Sequence, residues 1–142
     1  MQPAGDENRG DGRWQRWHPS SMKPRIAPHV FRKRLLVEGY FSREVSAEVV
    51  REYLLALASH LGLRTYGDPI VFSPGSGMGR ADNGGFDAFV PLIDSGISLY
   101  VWSVAKFFSA IVYTCKDFDG SAAIAFTKAF MDCRADFDAQ EF

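Results

Sequence analysis

Two side chains in the stretch 92–116 stand where chemistry could happen. Ser95 follows Asp94 in an Asp-Ser-Gly turn that precedes a strand candidate, and Cys115 lies twenty positions later, where a second strand candidate ends. If those strands pair, a hydroxyl and a thiol meet at one end of a sheet, and both are groups that attack carbonyls or move protons. Each also has an ordinary structural use. An Asp-Ser-Gly triplet suits any hairpin, and a solitary cysteine commonly serves as a small buried hydrophobe. Glu38 is the third candidate, because it sits among apolar neighbours in Val37-Glu38-Gly39-Tyr40. A glutamate facing a pocket there would have a perturbed acidity.

The elements that must position these groups follow from periodicity. Residues 31–41 alternate Leu35, Val37 and Gly39 with Leu36, Glu38 and Tyr40, which predicts a strand. Residues 46–61 predict a helix: Val50, Leu54, Leu57 and Leu61 recur at helical spacing, Ser46 can cap the start and Gly62 can stop it. His60 falls in the last turn, where the helix dipole favours a cation, and that suffices to explain it. Residues 69–73, 86–93, 97–102 and 108–114 read as further strands, with Pro91 demanding an edge or a bulge. Between the first two lies the glycine-rich run 74–85, which predicts a flexible loop that could close over a site; the strand after it argues against a phosphate cradle. A turn at 117–120 leads to a helix over 121–133, with Ala122, Phe126, Ala129, Phe130 and Cys133 on its apolar face, and a short acidic end at 134–142. Strands grouped in this way predict an α+β fold, a mainly antiparallel sheet with helices packed on one face.

Composition narrows the classes. At 142 residues the chain is one domain by size, with 46% apolar and 23% charged residues. Residues 1–30 read as a flexible N-terminal tail, rich in glycine and proline, and 31–142 as the domain. A net charge of −1 argues against a general nucleic-acid binder. Trp14 and Trp17, beside Arg13 and Arg16, leave a tail-mediated interaction as a minor alternative. No apolar run is long enough to span a bilayer, and no signal-peptide core is present. The two cysteines, Cys115 and Cys133, imply neither a disulfide framework nor a metal site, so a reducing, cytoplasmic setting is expected.

From about Lys33 to Met131, and most closely from Asp94 to Cys115, the chain resembles the short prokaryotic form of the S-adenosylmethionine decarboxylase family. The serine-to-cysteine spacing, Trp102, the Tyr113-Thr114-Cys115 ending and the segment around Glu38 carry the resemblance. It implies an enzyme that cuts itself between Asp94 and Ser95 and turns Ser95 into a pyruvoyl group. That ketone takes up the electrons released when an amino acid loses carbon dioxide, the work pyridoxal phosphate does elsewhere. By the same resemblance Cys115 is the proton donor to the product, Glu38 an active-site glutamate, and the chain a homo-oligomer joined through its sheets, acting on an amino-acid or S-adenosylmethionine-like small molecule.

The chain also departs from the family's pattern. Gly96 stands where the short form has a histidine, and Tyr100 where a second histidine drives ester elimination. Asp87 aligns with a processing serine, Ser103 and Val104 replace the Pro-Glu that binds the substrate ribose, and Asp94 replaces a glutamate. Tyr100 and Asp87 are therefore the candidate stand-in bases. The alternative is an unprocessed paralogue that holds a ligand, regulates an active subunit, or acts on S-adenosylmethionine by another reaction.

Overall fold

Alternation decides which way each strand faces. In β1 (Lys33–Tyr40), Leu35 and Val37 are buried while Leu36 and Glu38 are only half-buried and Tyr40 is exposed. The same two-residue rhythm buries Ala88, Val90 and Leu92 in β3 (Gly85–Leu92), Ile97, Leu99 and Val101 in β4 (Ser95–Trp102), and Phe108, Ala110 and Val112 in β5 (Phe107–Thr114). In the computed structural model, which describes residues 26–73 and 84–142, these strands join β2 (Ile70–Phe72) and β6 (Phe137–Glu141) in one sheet of order β2-β3-β4-β5-β1-β6. Every neighbouring pair is antiparallel. Pro91 fits this ladder because β2 reaches only as far as Phe89; beyond it the chain forms an irregular bridge, Thr65 to Leu92, in which Pro91 serves as acceptor, taking the Tyr66 N–H on its carbonyl at 2.7 Å.

Two helices cover the apolar face. Helix α1 (Ala47–His60) begins at Ser46, whose Oγ accepts from the Val49 N–H at 3.3 Å, and stops ahead of Gly62 at φ +68. It buries Val50, Tyr53, Leu54 and Leu57 against the sheet. Helix α2 (Gly120–Phe130) starts from an Asp119 cap, with Oδ1 accepting from the Ala122 N–H at 3.1 Å. It ends earlier than the expected 133, because Asp132 takes φ +53 and turns the chain. Where the helices meet, the Tyr53 hydroxyl and Thr127 Oγ1 are buried and 2.8 Å apart. Burial raises the Tyr53 phenol far above its usual pKa, so it stays a neutral partner. Burial likewise pushes the Cys133 thiol up to about 11, which marks it as a core residue rather than a nucleophile.

The architecture is the expected α+β sandwich, with one correction. The C-terminal segment is not a loose acidic end: Phe137–Glu141 forms β6 along β1, pairing Ala139 with Val37. Only Phe137 and Ala139 carry its alternation, too short a signal beside Asp138, Gln140 and Glu141.

Candidate functional site

The β3–β4 hairpin is tighter than its sequence suggests. Only Ile93 and Asp94 form the turn, and Leu92 already pairs with Ser95. The expected turn at 94–96 is thus displaced by one residue, and Ser95 and Gly96 belong to β4. Gly96 is needed there because the Phe89 ring lies across it, and a Cβ at that position would collide with the ring. Ser95 has φ +129, a conformation in which glycine is the usual residue after a two-residue turn. The chain therefore carries backbone strain at Ser95, on the order of 1–3 kcal/mol for such a conformation.

On its other side β4 pairs with β5, and Ser95 stands opposite Thr114. One residue further on, the Cys115 N–H donates to the Asp94 carbonyl oxygen at 2.9 Å. That carbonyl belongs to the peptide bond preceding Ser95, so a hydrogen bond already polarises the carbon a Ser95 hydroxyl would attack. The Cys115 thiol is exposed. The chain beyond it is fixed from two directions. Thr114 Oγ1 donates to the Lys116 carbonyl at 2.6 Å, and Lys33 Nζ donates to the Phe118 carbonyl at 2.6 Å. Lys33 also pairs with Asp117 at 3.2 Å and Glu141 at 3.3 Å.

The remaining candidates assemble elsewhere. Asp87 pairs with Tyr100, Tyr100 with Ser109, and Ser109 with Glu38, so one transverse row holds Asp87, Tyr100 and Glu38 on the face away from the helices. Tyr100 is five residues along β4 from Ser95, about 17 Å at the rise of a strand, and the odd offset places it on the opposite face. As bases for Ser95, then, Tyr100 and Asp87 are corrected by the geometry: neither reaches it. Glu38, two strands away in the same row, does not join Ser95 and Cys115 either. His60 stacks on Phe126 at 4.9 Å in the helical layer. A shallow hollow on the outer side of α1, lined by Glu48, Arg51, Glu52, Leu55 and Ala56, is far from this chemistry. Trp14, Trp17 and nearly all of the glycine-rich run lie outside the described residues. Sequence reasoning missed Thr114 and the carbonyl contact of Cys115, although aligning 95 with 114 in a hairpin register would have revealed both.

No protein-family model matches the chain, and no curated protein does. Among solved structures, the crystal structure of the adenosylmethionine decarboxylase from Aquifex aeolicus VF5 superposes with a TM-score of 0.59 at 20% sequence identity, covering 80% of this chain and 89% of that one. The fold is that of an adenosylmethionine decarboxylase. The decarboxylase fold thus spans this domain, with the 94/95 hairpin and the end of β5 inside it.

Proposed function

We propose that the chain is a pyruvoyl-dependent lyase that cuts itself between Asp94 and Ser95 and decarboxylates an amino-acid substrate resembling S-adenosylmethionine. One observation carries this reading: within a decarboxylase fold, a strained Ser95 follows a carbonyl held by the Cys115 N–H. The residues present fit a serine-derived ketone, since the hydroxyl, the activated carbonyl and an exposed thiol share one end of the sheet.

The self-processing balances on this chain's own atoms and water. Ser95 Oγ bonds to the Asp94 carbonyl carbon, the C–N bond breaks, and the hydroxyl proton passes to the departing nitrogen, leaving an ester and a free amine. Elimination sends the Ser95 Cα proton to solvent and the Asp94 carboxylate away as leaving group. The resulting enamine takes a proton, and water then displaces ammonia to leave the ketone at position 95. When formed, that group supplies an electron sink for decarboxylation. In this reading Cys115, exposed and joined through its N–H to the Asp94 carbonyl, is the group that gives a proton to the product.

Intact-mass measurement under denaturing conditions tests the reading. Two chains, 1–94 and 95–142, the second with a blocked N-terminus, are expected. A single uncut species of 15.8 kDa overturns it and leaves a ligand-binding or regulatory role for the fold.

A further inference from the structure

The resemblance supplies a histidine that drives ester elimination and a further serine for processing, and this chain has neither at those positions. Something else must aim the Ser95 hydroxyl. We propose that Thr114 is the positioning residue for self-cleavage, accepting a hydrogen bond from Ser95 Oγ and thereby turning the oxygen's lone pairs toward the Asp94 carbonyl carbon. The inference rests on the self-cleaving reading above.

Register and hydrogen-bond direction carry it. Thr114 is directly opposite Ser95 in the β4–β5 ladder, and cross-strand partners in a regular ladder hold their Cβ atoms about 4.5–5.5 Å apart, within reach of two hydroxyls. Thr114 is fully buried, and its hydroxyl hydrogen is committed to the Lys116 carbonyl at 2.6 Å. Its oxygen therefore meets a neighbouring hydroxyl only as an acceptor. That fixes the polarity of the pair: Ser95 donates and Thr114 receives. Lys33, the next residue in the same row, does not compete, because its ammonium is engaged by Asp117, Glu141 and the Phe118 carbonyl. With the Ser95 hydrogen drawn toward β5, its lone pairs remain for the carbonyl carbon, whose oxygen the Cys115 N–H already holds. The proton then moves from Oγ to the departing nitrogen as the amide bond breaks. Thr114 ends as it began, having gained and lost none.

The test compares Thr114→Val, which keeps the shape and loses the hydroxyl, with Thr114→Ser, which keeps the hydroxyl and loses a methyl. Cleavage is followed by denaturing mass, and the ester by its sensitivity to hydroxylamine, which cuts esters and spares amides. Thr114→Val is expected to slow cleavage on the order of 100-fold, the scale of a misplaced reacting group, and to show no hydroxylamine-sensitive chain. Thr114→Ser is expected to cleave within a few-fold of the parent. Should Thr114→Val fail to fold, Thr114→Cys, a far weaker acceptor of similar size, is expected to show the same loss. Wild-type cleavage rates in the Val or Cys variant overturn the role of Thr114 alone, as does a Ser variant as slow as Val. A parent chain that stays uncut and indifferent to hydroxylamine overturns both this role and self-cleavage.

Discussion

Ser95 occupies a place where glycine would rest more easily, and the cost is measurable. At φ +129 its Cβ is held against the backbone, a strain on the order of 1–3 kcal/mol that glycine avoids. Glycine loses about 0.5–1 kcal/mol of that through its freer unfolded chain. Ser95→Gly is therefore expected to stabilise the fold by about 1 kcal/mol and to abolish self-cleavage, whereas Ser95→Ala abolishes cleavage and keeps the strain. Urea unfolding with both variants, each read against an uncut reference, checks this. A Gly variant less stable than the Ala variant refutes the strain. The spacing of Ser95 and Cys115 was legible without coordinates, because position along a chain is what a sequence states. The placement of Thr114 opposite Ser95, and of Tyr100 and Asp87 on the other face, was not. It depends on which strands pair and in what register, and a shift of one residue sends a side chain to the other face.

At the scale of elements, the strand order has a consequence for a chain cut as proposed between Asp94 and Ser95. Residues up to Asp94 supply β1, α1, β2 and β3, and those from Ser95 supply β4, β5, α2 and β6. In the sheet these interleave, since β1 lies between β5 and β6. Helices α1 and α2, one from each side of the 94/95 peptide bond, share the buried bond between Tyr53 and Thr127. Separating the pieces would therefore strip β1 of both neighbours and open the core. No disulfide can account for their association, because Cys115 and Cys133 both fall on the second piece. Segments 1–94 and 95–142 made as separate chains are expected to assemble when co-expressed, to co-elute natively and to part only in denaturant. Independent elution would show that the sheet does not hold across the break. Helix α1 and the four longest strands were readable from periods of 3.6 and 2, whereas β6 was not. Five residues with two apolar positions state a strand only once β1 is there to pair with.

For the molecule as a whole, the sheet's second face is the one that neither helix covers. Tyr40, Ile70, Phe72, Phe89, Tyr100 and Tyr113 all stand on it and are each 37–65% exposed, while both helices lie on the other side. Such an aromatic-rich area, crossed by the row of Asp87, Tyr100 and Glu38, is on a two-layer fold what a partner surface with a polar stripe looks like. Its extent can be compared with what association needs. Four strands of eight residues, one of five and one of three, about 4.8 Å apart and rising about 3.3 Å per residue, give a face of roughly 600 Å². A stable interface takes about 800 Å² from each partner once side-chain relief is counted, so the face is of the right size for one sheet to pack on another. A second copy is the occupant we expect, the two sheets meeting face to face. Ile111 is half-buried near the middle of that face, between Leu36 and Ser98. A glutamate there could still reach water in a lone protomer but would be sealed between sheets in a pair, where an unpaired charge is costly. Sedimentation velocity at micromolar concentration is expected to give twice the chain mass for the parent and a single chain for Ile111→Glu, with far-ultraviolet circular dichroism unchanged. A parent that sediments as one protomer removes the second copy as occupant of this face.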